Sequence, residues 1–387
     1  MDAYIVGGAR TPIGRYGGVL AGHRPDDLAA LVVGEAVRRA GVDPAALDEV
    51  VLGAVNQAGE DNRNVARMAT LLAGFPDTVP GYTVNRLCAS GLSAVVAARQ
   101  MIAAQDADLV LAGGVESMTR APWVMEKPGR AWGKPGAVFD TAIGWRFPNP
   151  RFDGETTLAM PETAERVAQQ WGLTRDELDA FALRSHERAL LAQKNGHFTA
   201  EIVAVGDVVD DEGPRADTSL ERLARLRPVN GPDGVVTAGN SSSLNDGAAA
   251  MLVASPVAID EHRLTPRARI VAVGSAGVPP EIMGIGPVPA TKKALAKAGW
   301  TVDDLDAVEL NEAFASQSLA CIRDLGLDPE IVNADGGAIA LGHPLGASGA
   351  RLLLTLLGRL ERTGGRRGLA TLCVGVGQGV SVLVERV

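Results

Sequence analysis

Cysteine is scarce in this chain of 387 residues, which contains three. An odd and small number fits a reducing cytoplasm better than a disulfide framework. Histidine is almost as rare, with five residues, and none stands at metal-ligand spacing from another histidine or a cysteine. The sequence therefore indicates neither a disulfide-bonded scaffold nor a metal site.

Long apolar runs and an excess of positive charge are also missing. No run of about 18 apolar residues occurs, so we expect no membrane-spanning segment. The net charge of −9 argues against a general binder of nucleic acid or anionic membranes. Residues 1–6 enter a strand-like segment without a basic region or cleavage site, so we expect a cytoplasmic protein. No Gly-Lys-Ser/Thr loop or dinucleotide fingerprint occurs, which argues against a nucleotide-dependent oxidoreductase.

Glycine, by contrast, is abundant, with 46 residues, as expected where the backbone turns tightly or approaches a ligand. The chain also repeats itself at an offset of 258 residues, as between Ala36 and Ala294. The matched segments are 35–41 with 293–299, 47–52 with 305–310, and 88–91 with 346–349. Several matches at one offset are improbable by chance, so we infer two homologous halves.

Each half follows the order helix, glycine stop, strand, loop, and a small-residue turn that opens a buried helix. Short apolar runs such as Val50–Leu52 and Ala307–Leu310 are typical of buried parallel strands. This alternation predicts an α/β fold in which helices cover parallel sheets.

Residues 118–245 have no repeat partner and contain a proline-rich irregular loop, followed by an amphipathic region over Glu162–Asn195. We interpret them as a cap inserted over a site that the halves make, with a separately folded domain as the alternative. The predicted division is 1–117 plus 246–265 for the N-terminal half, 118–245 for the insert, and 266–387 for the C-terminal half.

Cys88 lies where a strand-like run meets a helix of small and apolar residues. The positive end of a helix macrodipole favours a thiolate, and small residues at 89–91 leave room for a substrate. A lone cysteine is more often an inert buried thiol, and Cys321 is interpreted in that way. The position of Cys88 makes it a candidate nucleophile.

His343 is surrounded by glycines and apolar residues just ahead of a second helix. A neutral imidazole there could act as the base for a thiol, or it could be a satisfied structural histidine. Because the repeat places the Cys88 and Gly346 turns at equivalent positions, we expect both turns and His343 at a shared interface. The other four histidines have polar or charged neighbours and are expected at the surface: His23, His186, His197 and His262.

Cys373 precedes three glycines in alternation, Gly375, Gly377 and Gly379. Their backbone N–H groups could hold a developing oxyanion. A nucleotide-phosphate loop is the rival interpretation, but a strand-like run follows here rather than a helix.

Asn311 and Glu312 come directly after the strand that ends at Leu310, where α/β proteins place their sites. Asn311 could orient a water, whereas Glu312 could instead cap the following helix. Taken alone, the pair indicates only that a site is possible at this edge of the sheet.

Four segments around these residues resemble the signature blocks of the thiolase family: 85–91, 311–314, 336–346 and 373–379. They stand in the family's order, and the resemblance covers essentially the whole chain. It implies the family's fold, two βαβαβαββ halves in a five-layer αβαβα arrangement with an inserted loop domain. It also implies an acetyl-CoA acyltransferase with coenzyme A as a substrate and no bound cofactor.

The resemblance also implies a role for each residue. Cys88 is the nucleophile that becomes acylated, and His343 deprotonates it. Cys373 is the second acid/base, and Asn311 holds a water that polarises a thioester oxygen together with His343. The N–H groups of Cys88 and Gly375 form the hole for the acyl-enzyme oxygen. A two-step route of this kind needs two acid/base groups.

Coenzyme A contacts follow from the same resemblance. The segment 237–242 resembles the family's pantetheine-binding segment, and a pocket methionine is matched as well. The implied coenzyme A and substrate contacts are Ser242, Ala238, Met160, Ala313 and Phe314. The implied partners are acyl-CoA, coenzyme A and further copies of the chain in a homodimer or homotetramer, without nucleic acid or membrane.

The subtype depends on smaller differences. Ala159 stands where biosynthetic acetoacetyl-CoA thiolases have a histidine, and Asn230 stands where they have a phenylalanine. Segments 59–67, 139–147 and 160–164 are closer to the 3-oxoadipyl-CoA thiolases. The resemblance therefore implies 3-oxoadipyl-CoA as substrate, with acetoacetyl-CoA or a general 3-ketoacyl-CoA as the alternative.

A substrate that ends in a carboxylate needs a cationic partner, for which Arg146 and Arg63 are candidates unless each forms a structural ion pair. Two rivals come from other classes. A decarboxylating ketoacyl synthase would present a histidine or asparagine in place of Cys373. A non-catalytic acyl-CoA carrier would be expected to lack Cys88 or His343, and both are present.

Overall fold

The computed structural model describes residues 1–387 and contains twelve strands and eleven α-helices. The strands are β1 (Tyr4–Arg10), β2 (Gly14–Arg15), β3 (Glu49–Gly53), β4 (Gly81–Val84), β5 (Leu109–Ser117), β6 (Trp123–Met125), β7 (Val138–Asp140), β8 (Asn245–Ala254), β9 (Ala268–Gly277), β10 (Ala307–Leu310), β11 (Arg367–Val374) and β12 (Gln378–Arg386). The helices are α1 (Pro25–Ala40), α2 (Val65–Leu72), α3 (Ser90–Ala104), α4 (Met160–Gln170), α5 (Arg175–Lys194), α6 (Leu220–Ala224), α7 (Pro256–His262), α8 (Pro287–Ala298), α9 (Ala315–Leu325), α10 (Ala338–Leu341) and α11 (Leu345–Thr363).

Ten of the strands form one sheet, nine of them along the hydrogen-bonded path β4-β3-β5-β8-β1-β9-β12-β11-β10 and the tenth, β2, paired to β8. The path consists of two equivalent parts. In each part a parallel pair, β3–β5 or β10–β11, is followed by two antiparallel pairings, β5–β8–β1 or β11–β12–β9. The two parts are joined by the pairing of β1 with β9, which is short because it involves only Tyr4 and Ile5 of β1. The repeat in the sequence is therefore a repeat of the fold.

Helices on the outer faces begin and end at the residues that the sequence signals predict. Both α1 and α8 have proline at their first position, and they end at Gly41 and Gly299. These glycines have φ of 69° and 68°, a left-handed conformation that a side chain would strain. The glycine that ends the helix is thus present at equivalent positions in both halves.

The two central helices, α3 and α11, pack against each other and against strands from both parts of the sheet. Equivalent glycines permit their close approach. A Cβ at Gly91 would lie 2.5 Å from the carbonyl oxygen of Gly346, and one at Gly349 would lie 2.2 Å from the backbone nitrogen of Leu92. The crossing therefore brings together the two turns that open these helices, at Cys88 and at Gly346.

The stretch Leu87–Ala104 is long and apolar enough to cross a membrane by length and composition alone. Within this structure α3 packs on β3, β5 and α11, and Leu92, Val95 and Ile102 are fully buried. Its apolar composition is thus explained by its place in the core.

The inserted segment contains the β6–β7 hairpin and α4 to α6. The amphipathic region predicted over Glu162–Asn195 is two helices, because Gly172 breaks it with φ of 61° and Thr174 caps α5 by accepting the N–H of Glu177. Apolar residues of α4 and α5 share one core with the C-terminal half. This shared core favours the cap over a separately folded domain, and the division at 118 and 245 stays a prediction.

Candidate active site

Cys88 lies in the turn between β4 and α3. Leu87, the residue before it, has φ of 46°. Ser90 closes the turn, because its hydroxyl accepts the N–H of Arg86 at 2.9 Å and donates to the carbonyl of Leu87 at 2.7 Å. A half-buried thiol is thus held on a hydrogen-bonded turn at the start of a core helix.

The charge state of this thiol differs from the sequence expectation. Burial, with a smaller contribution from the charge of Glu116, raises the pKa of Cys88 to about 11. The N–H groups of Gly375 and of Cys88 itself act in the opposite direction but do not offset the burial. The expectation that the helix dipole leaves a thiolate is therefore wrong for the free protein, since desolvation costs more. The resting thiol needs a base.

The turn between β11 and β12 reaches this thiol from the other half. Val376 and Gly377 have φ of 55° and 77°, and a Cβ at Gly377 would lie 2.1 Å from the carbonyl oxygen of Val278. The turn brings the N–H of Gly375 near enough to the thiol of Cys88 to act on its pKa. A donor from the C-terminal half therefore meets a nucleophile from the N-terminal half.

Cys373 lies on β11, 1% exposed, in an apolar cluster with Met160, Ala313 and Phe314. Burial raises the pKa of this thiol well above its usual value, and Cys88 is near enough to add to the rise. The structure therefore brings together two of the predicted thiols and three of the predicted substrate contacts.

His343 lies in the loop between α10 and α11 and is 4% exposed. Its backbone N–H donates to Oδ1 of Asn245 at 2.9 Å. Its Nε2 is 3.3 Å from Nδ2 of Asn311, and its Nδ1 is 2.7 Å from Oγ of Ser348. Burial, with a smaller contribution from the charge of Arg351, lowers the pKa of His343 to about 3. The imidazole is therefore neutral near pH 7.

Asn311 follows β10, and its N–H donates to the carbonyl of Thr371 at 3.0 Å. Its Oδ1 is buried and has no protein partner, so it can accept a hydrogen bond from a water or a substrate. Glu312 accepts from Ser185 at 2.7 Å and from Asn333 at 2.8 Å. Glu312 thus joins α5 to the C-terminal half and does not cap α9, the helix that follows it.

Glu116 was not recognised from the sequence. Its carboxylate, in β5, accepts the N–H groups of Val55 and Gly346 on Oε2 and that of Asn56 on Oε1, each at 3.0 Å. Burial raises the pKa of Glu116 to about 7. An acidic residue inside the apolar run Leu109–Ser117 was the available signal, because such a charge requires partners.

The predicted coenzyme A contacts form one wall. The N–H of Ser242 donates to the carbonyl of Ala313 at 2.9 Å, and Ser241 pairs with Phe314 in an isolated bridge. Phe314 and Met160 belong to the same apolar cluster. Segments far apart in the sequence therefore meet here, and their contact with coenzyme A stays a prediction.

A cavity of about 130 Å³ opens beside this wall and includes Ala238. Its lining has more basic than acidic side chains, the one acidic residue being Asp217, which pairs with Arg222. Sequence reasoning missed these residues because they are scattered along the chain. The basic lining residues are Arg15, Arg215, Arg222 and His186. The prediction that His186 is a surface residue is wrong, since it is buried, accepts the N–H of Arg215 at 3.2 Å, and has its pKa lowered by burial to about 4.

Arg63 and Arg146 are exposed, and the salt bridges of the structure include neither. Arg146 lies near enough to Asp61 for its charge to act on the pKa of that carboxyl. The preceding residue, Trp145, donates its indole N–H to Leu158 at 3.1 Å, and its ring lies beside Gly375. Of the two arginines, Arg146 therefore follows a residue that borders the site.

Known proteins resemble this chain over its whole length. Residues 3–256 match the family model described as "Thiolase, N-terminal domain", and residues 264–386 match "Thiolase, C-terminal domain". A "Beta-ketoadipyl-CoA thiolase" of Pseudomonas aeruginosa is 58% identical, covering 100% of this chain and 99% of that protein.

Two solved structures share the fold. The acetyl-CoA acetyltransferase of Bacillus anthracis has a TM-score of 0.94 at 43% identity, covering 100% of this chain and 99% of that one. Human mitochondrial 3-ketoacyl-CoA thiolase in complex with CoA has a TM-score of 0.93 at 40% identity, covering 100% and 98%. The fold predicted from the repeat and the motifs is confirmed. The chain belongs to the thiolase family and is an acyltransferase.

Proposed function

We propose that this protein cleaves 3-oxoadipyl-CoA with coenzyme A, or forms it in the reverse direction, through an acyl-Cys88 intermediate. One observation carries the proposal: the backbone N–H of Gly375 and the thiol of Cys373 both lie near enough to the thiol of Cys88 for pKa values to be affected. A nucleophile, an oxyanion donor and a second acid/base then stand together. The similarity to the Pseudomonas aeruginosa protein supports the choice of substrate.

In the first step, Cys88 attacks the 3-oxo carbonyl while His343 accepts the thiol proton. The bond between that carbon and the neighbouring methylene breaks, and Cys373 protonates the released enolate, which leaves as acetyl-CoA. The N–H groups of Cys88 and Gly375 stabilise the charge that develops on the attacked oxygen. A water held by Asn311 polarises the thioester oxygen of the leaving enolate together with His343.

In the second step, Cys373, now a thiolate, removes the thiol proton of coenzyme A. The coenzyme A sulfur attacks the acyl-Cys88 carbonyl, the sulfur of Cys88 leaves, and His343 returns its proton. Each thiol ends as it began. Because burial raises the pKa of both thiols, each is a neutral thiol in the resting protein.

The basic cavity is where we place the phosphates of coenzyme A, with the pantetheine along the Ser242 wall. Arg215 lies on the cap and makes no side-chain ion pair there, so its charge is available to a phosphate. Arg215→Ala should raise the KM for coenzyme A about tenfold with little change in kcat, since a charge-assisted hydrogen bond contributes about 1.5–3 kcal/mol. Arg263→Ala, an exposed arginine outside the cavity, is the matched control.

Arg146 is the residue that we assign to the terminal carboxylate. Arg146→Ala should lower kcat/KM for 3-oxoadipyl-CoA by roughly 10- to 100-fold, as expected for the loss of one charged pair. Cleavage of acetoacetyl-CoA, which has no second carboxylate, should not change. Arg63→Ala is the paired variant, and a selective loss there instead would transfer the assignment to Arg63.

We also propose a homodimer or homotetramer. Strand β4 ends the sheet path and is only partly buried, immediately before the Cys88 turn. A cavity of about 660 Å³ lies next to it and includes Val84 and Arg86. The exposed side chains of Trp123, Met125 and Trp132 on the β6–β7 hairpin give a second apolar surface. Light scattering that finds only monomers at assay concentration would contradict this.

The deciding experiment compares 3-oxoadipyl-CoA with acetoacetyl-CoA for wild type and Cys88→Ala. The proposal predicts a higher kcat/KM for 3-oxoadipyl-CoA and no activity in the variant. A preference for acetoacetyl-CoA would retain the mechanism and exclude the carboxylate-containing substrate. Activity in Cys88→Ala would exclude the mechanism, and no cleavage by wild type would favour a non-catalytic carrier.

A further inference from the structure

We propose that Ser348 is a positioning residue that holds the proton of His343 on Nδ1, so that Nε2 is left free to accept the proton of Cys88. The inference rests on the proposed role of His343 as the base. It adds a requirement that the motif alone does not contain, namely which of the two ring nitrogens carries the proton in the resting protein.

The contact is buried and direct. Oγ of Ser348 lies 2.7 Å from Nδ1 of His343 and 2.9 Å from the carbonyl oxygen of Pro344. Ser348 is 1% exposed and His343 is 4% exposed. Both side chains are therefore shielded, and each of their polar hydrogens needs a protein partner.

The hydroxyl has a single proton, and the carbonyl of Pro344 can only accept a hydrogen bond. If the proton points to Pro344, Oγ presents a lone pair to the imidazole, and Nδ1 must carry the hydrogen between them. All three groups are then satisfied. If the hydroxyl instead donates to Nδ1, Oγ of Ser348 and the carbonyl oxygen of Pro344 face each other at 2.9 Å with no hydrogen between them.

Asn311 points independently to the same tautomer. Its Nδ2, a donor, lies 3.3 Å from Nε2 of His343, while its Oδ1 has no protein partner. A donor facing Nε2 requires a lone pair on that nitrogen. The opposite tautomer, with Nε2–H, would require the amide of Asn311 to be reversed, so that Oδ1 faces Nε2.

The local sequence explains why a serine stands here. Pro344 is the residue before α11, and Ser348 lies one turn into that helix, so its hydroxyl reaches back to the carbonyl four residues earlier. His343 precedes the same proline. The first turn of α11 thus places Oγ of Ser348 between the carbonyl of Pro344 and the imidazole of His343.

The tautomer has a chemical consequence. With hydrogen on Nδ1, Nε2 can take the proton of Cys88, and the resulting imidazolium keeps its hydrogen bond to Ser348. With hydrogen on Nε2, the ring cannot act as base on that side. Orientation of a catalytic histidine by its other nitrogen is a general way to set this choice.

The test combines kinetics with nitrogen NMR on the full-length protein with ¹⁵N-labelled histidine. At pH 7, wild type should show His343 with hydrogen on Nδ1, the signal being identified by its absence from His343→Asn. In Ser348→Ala the hydrogen should move to Nε2, and kcat should fall by about 10- to 100-fold with KM within about twofold, a fraction of the full value of a general base. Ser348→Thr, which keeps the oxygen, should restore both readouts.

Ser318→Ala is the matched control, because Ser318 is also a buried helical serine that donates to the carbonyl four residues earlier, at 3.1 Å, but contacts no histidine. It should retain the activity and the Nδ1–H signal. The inference is overturned if wild type carries the hydrogen on Nε2, an outcome that requires no variant to fold. It is also overturned if Ser348→Ala keeps both tautomer and rate. Activity in His343→Asn would instead overturn the proposed base.

Discussion

Glu116 accepts the backbone N–H of Gly346 at 3.0 Å, and this bond joins the half that contains Cys88 to the turn that follows His343. The same carboxylate accepts the N–H groups of Val55 and Asn56 beyond β3. Cys88 and His343 belong to different halves, so their relative position depends on contacts that cross between the halves. The Glu116–Gly346 bond is one such contact, and it is buried.

Glu116→Gln separates the structural and electrostatic effects of this carboxylate. The amide keeps one acceptor oxygen but leaves at least one N–H unpaired, so we expect a loss of about 1–3 kcal/mol in unfolding free energy. Removing the negative charge should lower the pKa of Cys88, because Glu116 raises it. Alkylation of Cys88 at pH 8 should therefore become faster while kcat falls. If alkylation of Cys88 slows as much as kcat does, the charge of Glu116 does not raise the pKa of Cys88. Glu49→Gln, on β3, is the control.

The pH dependence of Cys88 alkylation follows from its raised pKa. With a pKa of about 11, the fraction of Cys88 present as thiolate increases about tenfold per pH unit at any pH below 10. Alkylation follows this fraction, because only the thiolate reacts. Iodoacetamide labelling of the free protein should therefore rise from pH 7 to pH 10 without a plateau. A plateau near pH 7 would mean that a thiolate–imidazolium pair exists before substrate binds. Cys88→Ala supplies the background from the two buried thiols.

Cys373→Ala should separate the two half-reactions. The nucleophile and its base remain, so acetyl-CoA should still acetylate Cys88. Condensation and thiolysis should fall by about 10²–10⁴-fold, the usual value of an acid/base group. Cys321→Ala is the matched control, because Cys321 is a buried thiol that donates to the carbonyl of Gly284 at 3.3 Å and has no role in the proposed mechanism. Full turnover in Cys373→Ala would remove Cys373 from the proposed mechanism.

Gly349→Ala tests the crossing of the central helices. The added Cβ would meet the backbone of Leu92 at 2.2 Å, so we expect a loss of at least about 1–3 kcal/mol from overpacking. Gly358→Ala, on the same helix, would meet only the flexible end of Arg362 at 3.0 Å, and should stabilise the protein by about 0.5–1 kcal/mol. Thermal unfolding of both variants measures the difference, and equal values would contradict the close approach of the two helices.

Much of the fold could be predicted because the repeat is explicit in the sequence. Segments 35–41 and 293–299 are the ends of α1 and α8, and each half has the same strand pairings. The helix ends at Gly41 and Gly299 could be predicted because the left-handed conformation after a helix favours glycine through local sterics alone. The two helices of the insert were predicted as one amphipathic region, since the turn at Gly172 is too short to interrupt the pattern.

The site was predictable only in part. Cys88, His343, Asn311 and Cys373 stand in recognisable segments, and their roles remain proposals. Glu116 contacts residues up to 230 positions away, and no local pattern reports such a partner. The direction of the Cys88 pKa was misjudged because the dipole of a helix is visible in sequence, whereas desolvation depends on the packing around the thiol.

The most direct test of the account is to identify the atom that receives the acyl group. The protein is incubated with acetyl-CoA alone, quenched in acid, digested and analysed by mass spectrometry. The account predicts one acetyl group per chain on the peptide that contains Cys88, with release of one coenzyme A, and none in Cys88→Ala. Acetylation at Cys373 or Cys321, or coenzyme A release without a labelled peptide, would contradict the acyl-Cys88 intermediate.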